Sequence, residues 1–186
     1  MEVRPAATVM LVRSAAGGIE VFMLRRSPGS TFAPDAYVFP GGTLEPQDAS
    51  DFVRTAIREL FEECGVLIAD PHQLVPFSHW ITPESEPRRY DVHFFVAALP
   101  DGQRPAADAA ETHDGIWIAP ADALARSAAG ALHVLYPTRK HLERLRDFDT
   151  VEALLAFART KPIFTILPSG TQEEGFALPS ELEGAW

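Results

Sequence analysis

The apolar and polar positions of this chain change period several times, and each change marks an element. Thr8 to Arg13 and Val21 to Arg26 are runs of strand-forming residues. Ser14-Ala15-Ala16-Gly17-Gly18 between them reads as a hairpin loop. Ser27 to Asp35, with Pro28, Gly29 and Pro34, is a loop that leads into a short strand over Ala36 to Phe39. The period then lengthens. Val53, Ala56, Ile57, Leu60 and Cys64 recur at helical spacing, the buried stripe of a helix from about Asp51 to Cys64. Asp48, Ser50 and Asp51 are good N-caps ahead of it, and Gly65 reads as its C-terminal glycine. Phe77 to Ile81, Tyr90 to Ala97 and Gly115 to Ile118 predict further strands. Pro120 to Ala128, Pro137 to Asp147 and Thr150 to Thr160 predict three more helices, the first opened by its proline. Strands flanked by helices predict a layered α/β sandwich.

Length and charge narrow the class. A chain of 186 residues is expected to form one domain. Its net charge of -10 argues against nucleic-acid binding, which rests on basic surface. An anionic ligand would therefore need cations and a local basic pocket. No run approaches the roughly 20 apolar residues of a membrane-spanning helix. Ala6 to Val12 follows Glu2 and ends at Arg13, so it reads as a first strand rather than a leader. Gly184-Ala185-Trp186 is no peroxisomal address, and the expected location is cytoplasmic. Cys64 is the single cysteine, which excludes an intrachain disulfide and places this thiol among the core residues.

The chemistry concentrates opposite the apolar stripe. Glu59, Glu62 and Glu63 stand at i, i+3 and i+4, so one helix face carries three carboxylates within about one 5.4 Å turn. Like charges so spaced repel by a few tenths of a kcal/mol per pair, and a hard divalent cation reverses that sign. Arg58, four residues before Glu62, can hold a carboxylate by a forked hydrogen bond.

These residues resemble the Nudix hydrolases. Arg58-Glu59-Leu60-Phe61-Glu62-Glu63-Cys64-Gly65-Val66 matches the second half of the Nudix signature at every fixed position. Phe39-Pro40-Gly41-Gly42 with Glu45 is similar to the first half. One departure stands between them. Counted forward from Gly42, the first acidic position of the signature falls on Asp48; counted back from Arg58, it falls on Ser50, two residues later. Leu24-Arg25-Arg26-Ser27-Pro28-Gly29, Trp80-Ile81-Thr82-Pro83 and Arg88-Arg89-Tyr90-Asp91 resemble the branch of peroxisomal coenzyme A diphosphatases and their bacterial relatives.

The resemblance implies a Nudix-type α/β/α sandwich with a mixed sheet over residues 1–165, followed by an extended tail over 166–186. It implies Mg²⁺ or Mn²⁺ held by Glu59, Glu62, Glu63 and the Gly41 carbonyl, with Arg58 orienting the carboxylates. It also implies a water-activating base, either Glu62 or Glu111, which lies six residues before Trp117; Asp114 is the rival. The implied substrate is a small nucleoside-diphosphate derivative, favoured coenzyme A or acyl-coenzyme A. The alternatives are ADP-ribose, a dinucleotide, or a Nudix-fold sensor without catalysis.

Two arginine pairs stand near loop ends in a chain with only 16 basic residues: Arg25-Arg26 and Arg88-Arg89. The planar guanidinium suits phosphate, so all four are candidate substrate contacts. Trp80, Tyr90 and Phe32 could stack a base, although strand aromatics commonly fill cores. The six histidines show no zinc-type spacing with one another or with Cys64. Phe164, Ile166, Leu167, Phe176 and Leu178 favour a packed tail, either on its own domain or across a homodimer.

Overall fold

The structure, a computed structural model, describes residues 2–30, 32–108, 112–171 and 173–186. The described residues form ten strands: β1 (Val3–Ala15), β2 (Gly18–Arg26), β3 (Tyr37–Val38), β4 (Gly41–Thr43), β5 (Val75–Ile81), β6 (Arg89–Ala98), β7 (Thr112–Ile118), β8 (Thr165–Ile166), β9 (Ser169–Thr171) and β10 (Gly175–Ala177). Four helices accompany them: α1 (Phe52–Cys64), α2 (Pro120–Ala128), α3 (Tyr136–Leu145) and α4 (Val151–Thr160). The main sheet runs β3-β2-β1-β6-β5-β8, with β4 also on β1 and β7 also on β2. Pairings β1–β6 and β5–β8 are parallel and the rest antiparallel, so the sheet is mixed.

Alternation along β1 builds two cores. Val9 and Leu11 face α1 and pack with Ala56, Leu60 and Cys64. Met10 and Val12 face the other way, among Leu142, Leu145 and Leu154 of α3 and α4. This is the α/β/α sandwich that the sequence led us to expect. Both apolar stripes are buried because a sheet residue and its neighbour point to opposite faces. None of the described helices is long and apolar enough to cross a membrane.

Three parts of the fold were not legible beforehand. β1 begins five residues before Thr8, because parallel pairing of Val3–Val12 with Arg89–Ala98 extends it past Pro5. β4 consists of Gly41, Gly42 and Thr43, whose propensity is poor. It is held as a strand by the free edge of β1, where Ala6, Ala7 and Thr8 pair with Thr43, Gly42 and Gly41. The region expected as an extended tail contributes β8 to the main sheet and a separate β9–β10 hairpin. Ile166, Leu178 and Trp186 are buried in the same core as α3 and α4.

The edge of β1 positions the site. Its C-terminal part, Val12–Ala15, pairs with β2, and its N-terminal part, Ala6–Thr8, pairs with β4. The handover occurs at Val9, whose N–H donates to the Pro40 carbonyl at 2.8 Å. β4 begins just after Pro40, along the edge of β1, and lies against the acidic face of α1.

Candidate active site

Arg58 organises this region. Its Nε and Nη2 donate to the two Asp48 oxygens at 3.0 and 2.8 Å. The second Nη2 proton goes to the Thr43 carbonyl at 3.0 Å. Nη1 serves Glu59 Oε1 at 2.8 Å and Glu62 Oε2 at 2.9 Å. All five N–H donors of the guanidinium are thereby used. The forked pair is made with Asp48, whereas Glu62 receives a single bond. The spacing from Arg58 to Glu62 alone does not show this division.

Asp48 is the residue that the two-position offset obscured. It ends a short 3-10 turn over Pro46–Asp48 and is 3 % exposed. The next two residues, Ala49 and Ser50, have φ of 53° and 63°. This left-handed jog takes up the two extra residues and returns the chain to Asp51, which caps α1 through Val53 N and Arg54 N. The jog leaves Asp48 against Arg58. Asp48 also accepts from the Glu45 N–H at 2.9 Å and from Thr55 Oγ1 at 3.0 Å. The Arg58 hydrogen bonds outweigh burial and hold its carboxyl down at about 2. The same bonds push the Arg58 guanidinium further up.

The two glycines allow backbone and carboxylates to approach closely. A Cβ on Gly42 would lie 2.5 Å from Glu59 Oε2 and nearer still to Oε1. The side chain of Glu59 thus occupies the place of a missing methyl group. A Cβ on Gly41 would lie 2.7 Å from the Thr8 Cα. The Gly41 N–H donates to Glu63 Oε2 at 2.8 Å, tying β4 to the last turn of α1. Gly65, in the left-handed conformation at φ 67°, ends that turn with its N–H on the Phe61 carbonyl. Burial pushes the Glu59 carboxyl up, and Arg58 pulls it part of the way back. Glu62, by contrast, is 55 % exposed in its side chain.

These groups line one cleft of about 700 Å³. Gly41, Gly42, Arg58, Glu59, Glu62 and Glu63 form one wall. Arg26, Phe32, Tyr90, Val92 and Phe94 also line the cleft. Phe32 and Tyr90 stand with ring centroids 5.6 Å apart. Arg26 is held by the Phe32 carbonyl at 3.1 Å and Ser30 Oγ at 2.9 Å. A smaller apolar recess of about 120 Å³, lined by Trp80, Tyr136 and Phe176, shares Phe32, Phe94 and Leu135 with the cleft.

The remaining candidates are dispersed. Arg88 borders the apolar recess. Arg25 lines neither cavity and pairs with Asp35 at 2.8 Å. Arg89 also lines neither, and its Nε donates to the Thr82 carbonyl at 3.0 Å. Asp114 lies on β7 opposite Arg25 and away from the cleft lining. Glu111 falls outside the described residues.

The donor set suits a hard cation. Three carboxylates and a backbone carbonyl are the oxygen ligands that magnesium and manganese take. The glycine cradle also gives Glu59 room to reach β4. The carboxylates are parted, however. Arg58 bridges Glu59 and Glu62, while Glu63 turns to the Gly41 N–H. Among the described residues, the group of three with ligand atoms within 4.8 Å of one another is His79, Asp91 and His93. Glu59, Glu62 and Glu63 would have to close up to share an ion.

A family model described as NUDIX domain matches residues 3–138. The chain belongs to the NUDIX domain family. The Caenorhabditis elegans protein named "Putative nudix hydrolase 7" is 28% identical over 191 aligned residues, covering 80% of this chain and 63% of that protein. The chain thus spans less than two thirds of that relative. A NUDIX hydrolase structure from Alicyclobacillus acidocaldarius superposes with a TM-score of 0.79 at 25% identity, covering 84% of this chain and 96% of the other. The NUDIX domain of Shewanella oneidensis NrtR, solved with ADP ribose, has a TM-score of 0.62 at 14% identity, over 79% and 88% of the two chains. That second likeness shows a shared NUDIX fold alone.

Proposed function

We propose that this NUDIX protein is a metal-dependent hydrolase of a diphosphate bond in a nucleoside-diphosphate-linked substrate, with coenzyme A or acyl-coenzyme A preferred. One observation carries the reading. The intact set Arg58, Glu59, Glu62, Glu63 and Gly41 lines a cleft that continues into an apolar recess. A nucleoside diphosphate needs the charged wall, and a pantetheine or acyl arm needs the apolar one.

Glu59, Glu62, Glu63 and the Gly41 carbonyl would hold Mg²⁺ or Mn²⁺. When bound, such ions neutralise phosphoryl oxygens and acidify water. The chain's own groups do the rest. Arg58 fixes Glu59 and Glu62 while drawing its own rigidity from Asp48. Glu62, the most exposed of the three carboxylates that Arg58 holds, is placed to accept the proton of an attacking water; Glu111 is the alternative acceptor. Arg26 presents a guanidinium in the cleft to the diphosphate, braced by Ser30 and Phe32. Phe32 and Tyr90 offer ring faces to a base.

The test is a hydrolysis screen with Mg²⁺ and Mn²⁺ over coenzyme A, acetyl-coenzyme A, ADP-ribose, NADH and diadenosine polyphosphates, read by mass spectrometry. Release of 3',5'-ADP with a 4'-phosphopantetheine species supports the coenzyme A reading. Turnover of ADP-ribose or a dinucleotide instead keeps the mechanism and discards the preference. Metal binding with no turnover of any compound points to a ligand sensor.

A further inference from the structure

The sheet face covered by α1 carries a second polar cluster that the diphosphate chemistry does not use. His79 of β5 and His93 of β6 are register partners, and Asp91 lies two residues before His93 on the same face. The ligand atoms of the three residues lie within 4.8 Å of one another. His79 Nε2 is 2.5 Å from Asp91 Oδ1, and His93 Nε2 is 4.0 Å from the same oxygen. The other ring nitrogen of His79 meets Thr165 Oγ1 on β8 at 2.8 Å. Phe52, at the start of α1, stacks on His93 with centroids 3.9 Å apart.

We propose that His79, Asp91 and His93 form a binding site for a zinc-type divalent transition metal, separate from the diphosphate cleft. Two imidazoles and one carboxylate are a borderline donor set, suited to zinc rather than to the magnesium class. Donors around a tetrahedral zinc stand about 3.4 Å apart, given bond lengths near 2.1 Å. The observed separations bracket that value. The two rings are stacked, with centroids 4.4 Å apart and planes 25° apart, so they must turn to aim at one ion. The last histidine torsion is soft enough to allow this. Thr165 Oγ1 would accept the Nδ1–H of His79 bound through Nε2, an outer hydrogen bond that orients a metal-bound ring. The fourth position is left for water.

The site ties β5, β6 and β8 together. Tyr90, Val92 and Phe94 alternate with its ligands on β6 and line the cleft from the opposite face. A bound ion would therefore fix the strand that forms one wall of the substrate cleft.

Zinc titration of the full chain, followed by long-range ¹H–¹⁵N spectra of its histidine rings, tests the site. The expected result is that the first equivalent shifts His79 and His93 together. The shift should persist in excess Mg²⁺ and in the Glu63→Gln variant, which separates this site from the glutamates of α1. His93→Asn should abolish it, and Thr165→Val should weaken binding about tenfold. The Thr165 variant keeps the test open if His93→Asn does not fold. Unmoved His79 and His93 signals at saturating zinc would overturn the proposal. So would wild-type affinity in folded His93→Asn, or in Thr165→Val together with unshifted rings.

Discussion

The two ends of the Arg58 guanidinium face different worlds. On one side Asp48 is 3 % exposed and also accepts hydrogen bonds from Glu45 and Thr55. On the other, Glu62 is 55 % exposed in its side chain and accepts from Arg58 at 2.9 Å. The same cation makes a structural anchor with one partner and a movable contact with the other. Burial accounts for the difference. An ion pair in low dielectric is costly to break, whereas an exposed one contributes little to stability. The anchored half ties α1 to the Thr43 end of β4, and the other half faces the cleft.

Removing the shared cation should have the largest effect. Arg58→Ala leaves Asp48 charged and nearly fully buried without its forked partner. We expect a stability loss of about 3–5 kcal/mol by denaturant unfolding. Asp48→Asn in the same chain should recover part of it, since the orphan is then neutral. If Arg58→Ala unfolds like the wild type, the anchor assignment is wrong.

Crowding the cradle should come next. In Gly42→Ala the new methyl displaces the Glu59 carboxylate, at an expected cost of about 1–3 kcal/mol. Turnover should fall with it, because Glu59 loses its place beside Arg58. Unchanged activity in Gly42→Ala would show that this close approach is dispensable.

Acid distinguishes the two halves as well. Asp48 has a lowered folded-state pKa of about 2, against an ordinary value of 3.8. Its stabilisation is therefore complete above about pH 4 and is lost as pH falls toward 2. An Asp48→Asn variant should show a flatter stability profile across that window. Parallel profiles would remove Asp48 from the account.

The smallest effect concerns the jog. Ser50 sits at φ 63°, where a side chain is strained and glycine is not. Ser50→Gly should stabilise the protein by about 0.5–1 kcal/mol, read from its thermal midpoint, with activity unaltered.

How much of this was legible beforehand depended on whether the interaction is local. The α1 stripe, its Asp51 cap and its Gly65 terminus obey rules that act within a few residues, and all three are found in place. β4 was invisible because its pairing is imposed by β1, over thirty residues upstream. The Asp48–Arg58 fork was hidden by the two-residue offset. Counting forward from Gly42 does reach Asp48, and what the sequence lacked was the left-handed path of Ala49 and Ser50. The histidine pair escaped notice for a similar reason. Zinc-type spacing is a pattern along the chain, whereas His79 and His93 meet across strands, with Asp91 as the third donor.

The central proposal is that Glu62 and Glu63, both on the cleft wall, carry the hydrolysis. The most direct measurement compares wild type, Glu62→Gln and Glu63→Gln for Mn²⁺-dependent release of 3',5'-ADP from coenzyme A, with thermal midpoints taken alongside. The account predicts product from the wild type, a loss of about 100-fold or more in each variant, and midpoints within a few degrees of wild type. Near-normal turnover in both variants would contradict it.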